Sequence, residues 1–181
     1  MKILNKNKGL TLIELLVTIL IFSIVIGATT SVFVSAIKLQ RYNLAHQQLL
    51  NQVSYAVEYM DRAIRMAIRD DGTCIPAGQN YILSDGDRKI EFKDYKGECQ
   101  EFYWDINSDQ LTVDKTSFSA PVVLTSDDFE ITFFGFQISG DILGDTVQPK
   151  ITFSMDIKGK GSGQQPGIKI QTTVSERNLD M

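Results

Sequence analysis

Between Leu10 and Ile37 one side chain carries a full charge, the carboxylate of Glu14, and every other position is apolar, small or a neutral hydroxyl. A lone carboxylate held in hydrocarbon costs several kcal/mol, so it calls for an opposite charge beside it or for a place among lipid headgroups. Its chemistry is ion pairing rather than catalysis. The other reactive side chains are few. Cys74 and Cys99 are the two thiols, and His46 is the single histidine. Asp85 and Asp87 flank Gly86, Asp127, Asp128 and Glu130 cluster, and Asp141 and Asp145 lie in a glycine-containing loop. Oxygen-rich loops of this kind can hold calcium, but none has the spacing of a calcium-binding loop, and the expectation is solvated turn residues. Gly159, Lys160, Gly161, Ser162 and Gly163 look like a phosphate cradle only superficially, because the glycine spacing is wrong and no apolar helix follows. With no base for a nucleophile and no third ligand for zinc, the chain is expected to be no enzyme, with no catalytic residue, no metal and no cofactor.

The element that positions Glu14 is a helix. The apolar run exceeds the roughly 20 residues needed to cross a bilayer. Beyond it, Leu39, Tyr42, His46, Leu49, Val53, Ala56, Val57, Met60, Ile64, Ala67 and Ile68 recur at steps of three and four, which draws one stripe on a helix. Gln40, Arg41, Gln47, Gln48, Asn51, Glu58, Asp61, Arg62, Arg65 and Arg69 fall on the other side. No proline interrupts Leu10 to Arg69, so the pattern predicts one helix of about 60 residues, roughly 90 Å long. It is expected to end where Asp70, Asp71 and Gly72 break the period, with Gly72 as a left-handed cap. His46 lies in the stripe and reads as a packing residue. Gly27 to Ser31 gathers a glycine and two β-branched threonines, a weak stretch expected to stay helical in the isolated subunit and to loosen on assembly.

Charge sets the orientation and the partners. Lys2, Lys6 and Lys8 precede the apolar segment, and by the positive-inside rule that end stays cytoplasmic while everything after Lys38 lies outside. Cys74 and Cys99 then sit where a disulfide is permitted, the alternative being two free thiols. The chain has 22 acidic against 18 basic residues, and no basic patch follows the helix, so nucleic acid is not an expected partner. Val34, Ser35 and Ala36 offer a passable secretory cleavage site, but the apolar run is about twice the usual length for such a signal.

After Gly72 the period becomes alternating. Strands are predicted at 80–84, 89–95, 101–106, 110–114, 122–125, 129–138, 150–157 and 167–174, with the third and fourth forming a hairpin. Phe129, Ile131 and Phe133 are read on one face of the sixth strand, with Glu130 and Thr132 on the other. The glycine-rich stretch 159–167 is expected to be mobile.

Lys8, Gly9, Leu10, Thr11, Leu12, Ile13, Glu14 and Leu15, with a basic leader before them and the apolar run after, closely resemble the class III signal of type IV pilins and type II secretion pseudopilins. The resemblance implies that a prepilin peptidase cuts between Gly9 and Leu10 and methylates the new amino group of Leu10. Glu14 becomes the fifth residue of the mature chain, and in that family it meets the terminal ammonium of a neighbouring subunit. Leu10 stands where phenylalanine is commoner. Ser31 stands where many pilins carry a helix-loosening proline. The ending Val174 to Leu179 resembles, weakly and locally, the carboxyl end of minor pilins of the J or W kind.

The expected architecture is therefore α+β and pilin-like. It comprises a leader over residues 1–9, a transmembrane or filament-core helix over 10–37, an amphipathic continuation over 38–71, and an antiparallel β head over 72–181. The resemblance implies a minor pilin or pseudopilin of a type IV pilus or type II secretion system. Its partners would be the prepilin peptidase, other pilins, an inner-membrane assembly platform and membrane lipid. A major or competence pilin stays open. The rival reading is a single-pass membrane protein with an external binding domain and no filament.

Overall fold

The computed structural model describes residues 9–140, 147–161, 163 and 165–177. The leader lysines, Asp141, Asp145, Ser162, Asn178 and Leu179 lie outside the described residues. Two compact units divide the chain, one ending at Asn43 and one beginning at Leu44. The architecture is α+β. A helix, α1 (Leu12–Arg65), precedes eight strands: β1 (Tyr81–Ser84), β2 (Lys89–Lys93), β3 (Cys99–Asp105), β4 (Gln110–Lys115), β5 (Val122–Val123), β6 (Phe129–Ser139), β7 (Lys150–Gly159) and β8 (Gly167–Ser175). All eight coincide with stretches of alternating pattern. The sheet expected from that pattern is divided in two, an antiparallel five-stranded sheet in the order β1-β2-β3-β4-β5 and an antiparallel three-stranded sheet in the order β6-β7-β8.

Two hairpin tips join the sheets. The β1–β2 turn takes Asp85, Gly86 and Asp87 through positive φ, and the β3–β4 turn does the same at Asp109. Aspartate tolerates this conformation better than most side chains. The Asp87 carbonyl accepts the Phe136 N–H at 2.7 Å and the Asp109 carbonyl accepts the Ile131 N–H at 2.9 Å. Two N–H groups on the outer edge of β6 are thereby satisfied by turns of the other sheet.

The second part of α1 supplies one side of the core. Leu49, Val53, Ala56, Met60 and Ile64 are buried, as the stripe requires. Leu39 and Tyr42, read as part of the same stripe, are exposed. The helix residues share one cluster with Ile90, Phe92, Phe102, Leu111 and Val113 of the first sheet and with Phe134, Phe153, Met155 and Val174 of the second. Tyr59 meets Phe102 edge-on at 5.9 Å, and Phe134 meets Phe136 edge-on at 4.9 Å, a geometry that sets the positive ring edge on the negative face.

The helix ends at Arg65, four residues before the expected Arg69. The apolar period continues through Ala67 and Ile68, but tertiary partners take over the terminal backbone groups. The Tyr81 hydroxyl donates to the Ile64 carbonyl at 2.7 Å, Arg177 N–H donates to the Arg65 carbonyl at 3.0 Å, and Ile68 N–H donates to the Lys93 carbonyl at 3.0 Å. Ile68 thus leaves the helix to bridge β2. Such partners replace the intrahelical bonds that the last carbonyls of any helix lack. Gly72 does take a positive φ of 98°, within the following loop rather than as the cap of the helix.

That loop is wound around Asp70. Its side chain is 2% exposed and accepts the N–H groups of Asp71 at 2.9 Å, Cys74 at 2.6 Å and Ile75 at 2.6 Å. The Lys93 ammonium lies 3.2 Å away. Burial pushes the Asp70 carboxyl up, but the Ile75 and Cys74 N–H groups and Lys93 outweigh it and hold it below the ordinary value. Asp94 repeats the arrangement between β2 and β3, with the N–H groups of Lys96 and Glu98 at 2.8 and 2.9 Å and Lys115 at 2.5 Å. Cys74, fixed by Asp70, is bonded to Cys99 at the start of β3, with Cα atoms 5.3 Å apart.

One side chain on β6 lies opposite to the expected face. The register skips a residue between Ile131 and Phe133, so Phe129 and Ile131 are buried, Phe133 is 53% exposed, and Phe134 is buried in its place. A β-bulge of this kind leaves one residue unpaired and re-aims its neighbours.

Two measurements on the detergent-solubilised chain test these assignments. Phe134→Ala is expected to cost about 3–5 kcal/mol of unfolding free energy, as for other buried phenylalanines. Phe133→Ala is expected to stay within about 0.5 kcal/mol of the parent. Equal losses in denaturant titrations would contradict the bulge. A folded-state pKa below the unfolded one gives stability that is complete above the unfolded value near 3.9 and fades as pH falls toward the folded value. Asp70→Ala is therefore expected to cost about 1–3 kcal/mol at neutral pH, where three N–H groups lose their acceptor, and to flatten the loss of stability below about pH 4.

Candidate processing and assembly site

Gly9 and Leu10 precede α1, and Leu10 is 72% exposed. The helix is started by Thr11. Its hydroxyl accepts the Glu14 N–H at 3.3 Å, and its carbonyl accepts the Leu15 N–H at 3.2 Å. Thr11 is thus the N-cap and Glu14 the third helical residue, the spacing of a capping box. Thr-x-x-Glu before an apolar run is readable in the sequence, where Thr11 stands out as part of the signal motif but not as a cap. The placement has an electrostatic consequence. A carboxylate in the first turn faces the positive end of the helix dipole, which partly compensates a charge set among hydrocarbon side chains.

Glu14 is exposed, and among the described residues its carboxylate has no hydrogen-bond or ion-pair partner. Around it Leu12, Ile13, Leu15, Leu16 and Val17 are all more than half exposed. The large apolar side chains from Ile19 to Val34 are exposed as well, and the most apolar window of the helix has no buried residue among the described residues. Residues 12–37 rise about 39 Å, enough to cross a hydrocarbon core of about 30 Å. The hydroxyls in this stretch are turned inward on the helix. Thr18 donates to the Leu15 carbonyl, Ser23 to Ile19, Thr29 and Thr30 to Ile26, and Ser35 to Ser31, at 2.8–3.0 Å. These five hydroxyls need no water, Ser31 being the exception among the described residues, which suits a helix surrounded by lipid or by other apolar helices. Gly27 to Ser31 is helical throughout.

The other candidate residues separate into structural roles. Cys74 and Cys99 are joined as a disulfide. Asp85 pairs with Arg88 at 2.9 Å, Asp127 accepts from Gln110 at 2.6 Å, the Asp128 carboxylate lies 3.2 Å from the Ser126 hydroxyl, and Glu130 pairs with Lys158 at 2.9 Å. Asp87 serves through its carbonyl at the join between the sheets. Among the described residues no three His, Cys, Asp or Glu side chains converge as a metal site would require. His46 is half-buried.

Residues 4–30 match the prokaryotic N-terminal methylation motif. No curated protein and no solved structure is matched by the chain. The match covers the end of the leader, the Gly9–Leu10 junction, Thr11, Glu14 and most of the apolar helix. It fits a helix anchored once in the inner membrane. On a chain with a pilin-like α+β layout, this stretch is the class III signal of type IV pilins.

Proposed function

We propose that the chain is a minor pilin or pseudopilin, held in the inner membrane with its head outside and then drawn into a helical filament. A prepilin peptidase cuts between Gly9 and Leu10 and methylates the Leu10 amine. In the filament Glu14 receives the Leu10 ammonium of an adjacent copy or of another pilin. An inner-membrane assembly platform moves the subunit from lipid into that filament. The function is structural, with no cofactor; a calcium titration that raises the melting temperature would overturn the last point.

The observation that supports this reading best is the state of Glu14. It is the single charge in the apolar stretch 10–37, and among the described residues it meets only the helix dipole. A buried carboxylate is tolerable when an opposite charge meets it, and cutting at Gly9 creates a cation four residues away in sequence, within reach of a neighbour's Glu14. Minor rather than major status is supported by a head with eight strands among the described residues and by the likeness at residues 174–179.

Mass spectrometry of the membrane-extracted protein tests the processing. The expected amino terminus is N-methyl-Leu10; an intact Met1 would favour the unprocessed, membrane-anchored binding domain, a cut after Ala36 would mark an ordinary secretory signal, and either would overturn the reading. Glu14→Gln keeps the size and removes the charge. It is expected to lower recovery in sheared filaments by about 100-fold, matching the roughly 3 kcal/mol cost of an uncompensated buried ammonium. Head folding, followed by the Cys74–Cys99 bond, should be unchanged. Incorporation equal to the parent would overturn the reading.

A further inference from the structure

The bulge in β6 brings an aromatic ring to a sheet face that otherwise holds no large apolar group. On the outer face of the three-stranded sheet, the register places Gln137, Thr152 and Thr173 in one row across the strands and Gly135, Ser154 and Gln171 in the next. Phe133 with Asp156 and Lys169 makes the row beyond. Among the described residues, the side chains of Gln137, Ser154 and Gln171 make no hydrogen bond within the chain, so their amides and hydroxyl are open to a ligand. Thr152 and Thr173 share one bond at 2.9 Å. Two pairs of nearby charges cancel, Lys169 with Asp156 at 2.7 Å and Lys158 with Glu130 at 2.9 Å, while Asp87, which also borders this face, makes no ion pair among the described residues. Lys150 stands apart at the far end of β7.

Phe133 borders a depression of about 340 Å³ with Gly86, Gly135, Gln137, Ser154 and Gln171 on its walls. That is near the lower end of the roughly 300–1,000 Å³ typical of small-ligand sites. Gly135 keeps the floor low beside the ring. A Cβ there would lie 3.8 Å from the Phe133 Cζ, so any larger side chain would fill the space next to the ring tip.

We propose that this face binds an uncharged glycan, a ribbon of equatorially linked β-1,4 pyranoses. The ring offers a π face for the axial C–H bonds of a sugar, and a face with negative quadrupole favours such weakly positive groups. The two glutamine amides and the three hydroxyls each offer donors and acceptors, which suits ligands whose hydroxyls do both. The paired charges and the one carboxylate left over at Asp87 disfavour an acidic ligand, and a carboxylate accepts hydrogen bonds from sugar hydroxyls. Adjacent strands lie about 4.8 Å apart, so the two uncharged rows run about 10 Å across the sheet as a flat strip, the shape of a β-1,4 ribbon and not of a coiled α-linked chain. The site lies wholly in the second unit and does not depend on how the amino terminus is processed.

Calorimetric titration of the full chain, in a detergent without a sugar headgroup, tests this with cellohexaose, chitohexaose and maltohexaose as probes. Saturable binding of at least one β-linked probe in the micromolar to millimolar range is expected, with maltohexaose bound at least about tenfold more weakly. Phe133→Ala should weaken the β-linked probe about tenfold, Phe133→Trp should preserve or tighten it, and Gln171→Ala should weaken it several-fold. Tyr95→Ala, an exposed aromatic elsewhere on the head, should bind as the parent does. Gly135→Val, which narrows the depression, should also weaken it. No binding by either β-linked probe, equal binding of maltohexaose, or parental affinity in Phe133→Ala would each overturn the proposal.

Discussion

A single helix here has to satisfy two different surroundings, and its sequence changes where the requirement changes. Over residues 12–37 the side chains are apolar on every side, which only lipid or other apolar helices can cover. From Leu49 onward the apolar residues contract to one stripe, and that stripe is buried to the last turn. The change in pattern falls near the division between the two compact units at Asn43. The second unit closes a core of its own, while the large apolar side chains of the first are exposed.

Everything in the second unit is arranged to end that helix and return the chain to the core. The terminal carbonyls of α1 are taken by the Tyr81 hydroxyl and the Arg177 N–H, so the beginning of β1 and the residues after β8 both register against the same helical turn. Asp70 then fixes the following loop by collecting its N–H groups, and the disulfide from Cys74 fastens that loop to β3. A carboxylate used in this way does the work of a short piece of secondary structure. It satisfies donors that have no strand to pair with.

Much of this was readable from the residues. Period-two alternation located all eight strands, and the helical stripe located the buried residues from Leu49 to Ala67. The misreadings share one cause, which is that contacts far apart in sequence override a local pattern. The apolar period favours helix to Ile68, yet Lys93 offers Ile68 a strand partner and the helix stops at Arg65. Alternation puts Phe133 with Ile131, yet the ladder with β7 skips a residue and exchanges Phe133 for Phe134. The division into two sheets depends on which strands meet, for which a one-dimensional pattern has no signal. Thr11 is the contrary case. Its signal is local, a threonine three residues before an acid, and it was legible all along.

The site at the amino terminus was legible for a physical reason that also explains its incompleteness. A polar group among hydrocarbon side chains is so costly that a single letter, Glu14, stands out against its neighbours without any structure. The structure then adds the cap and the dipole, and among the described residues no counter-charge. In the proposed function another molecule supplies that counter-charge. The head contrasts with it, because Asp70, Asp94 and Glu130 find their cations within the same chain. Substitutions in the two regions should therefore separate cleanly. Those in the head act on folding, and those at Glu14, under the proposed function, act on association while the head stays folded.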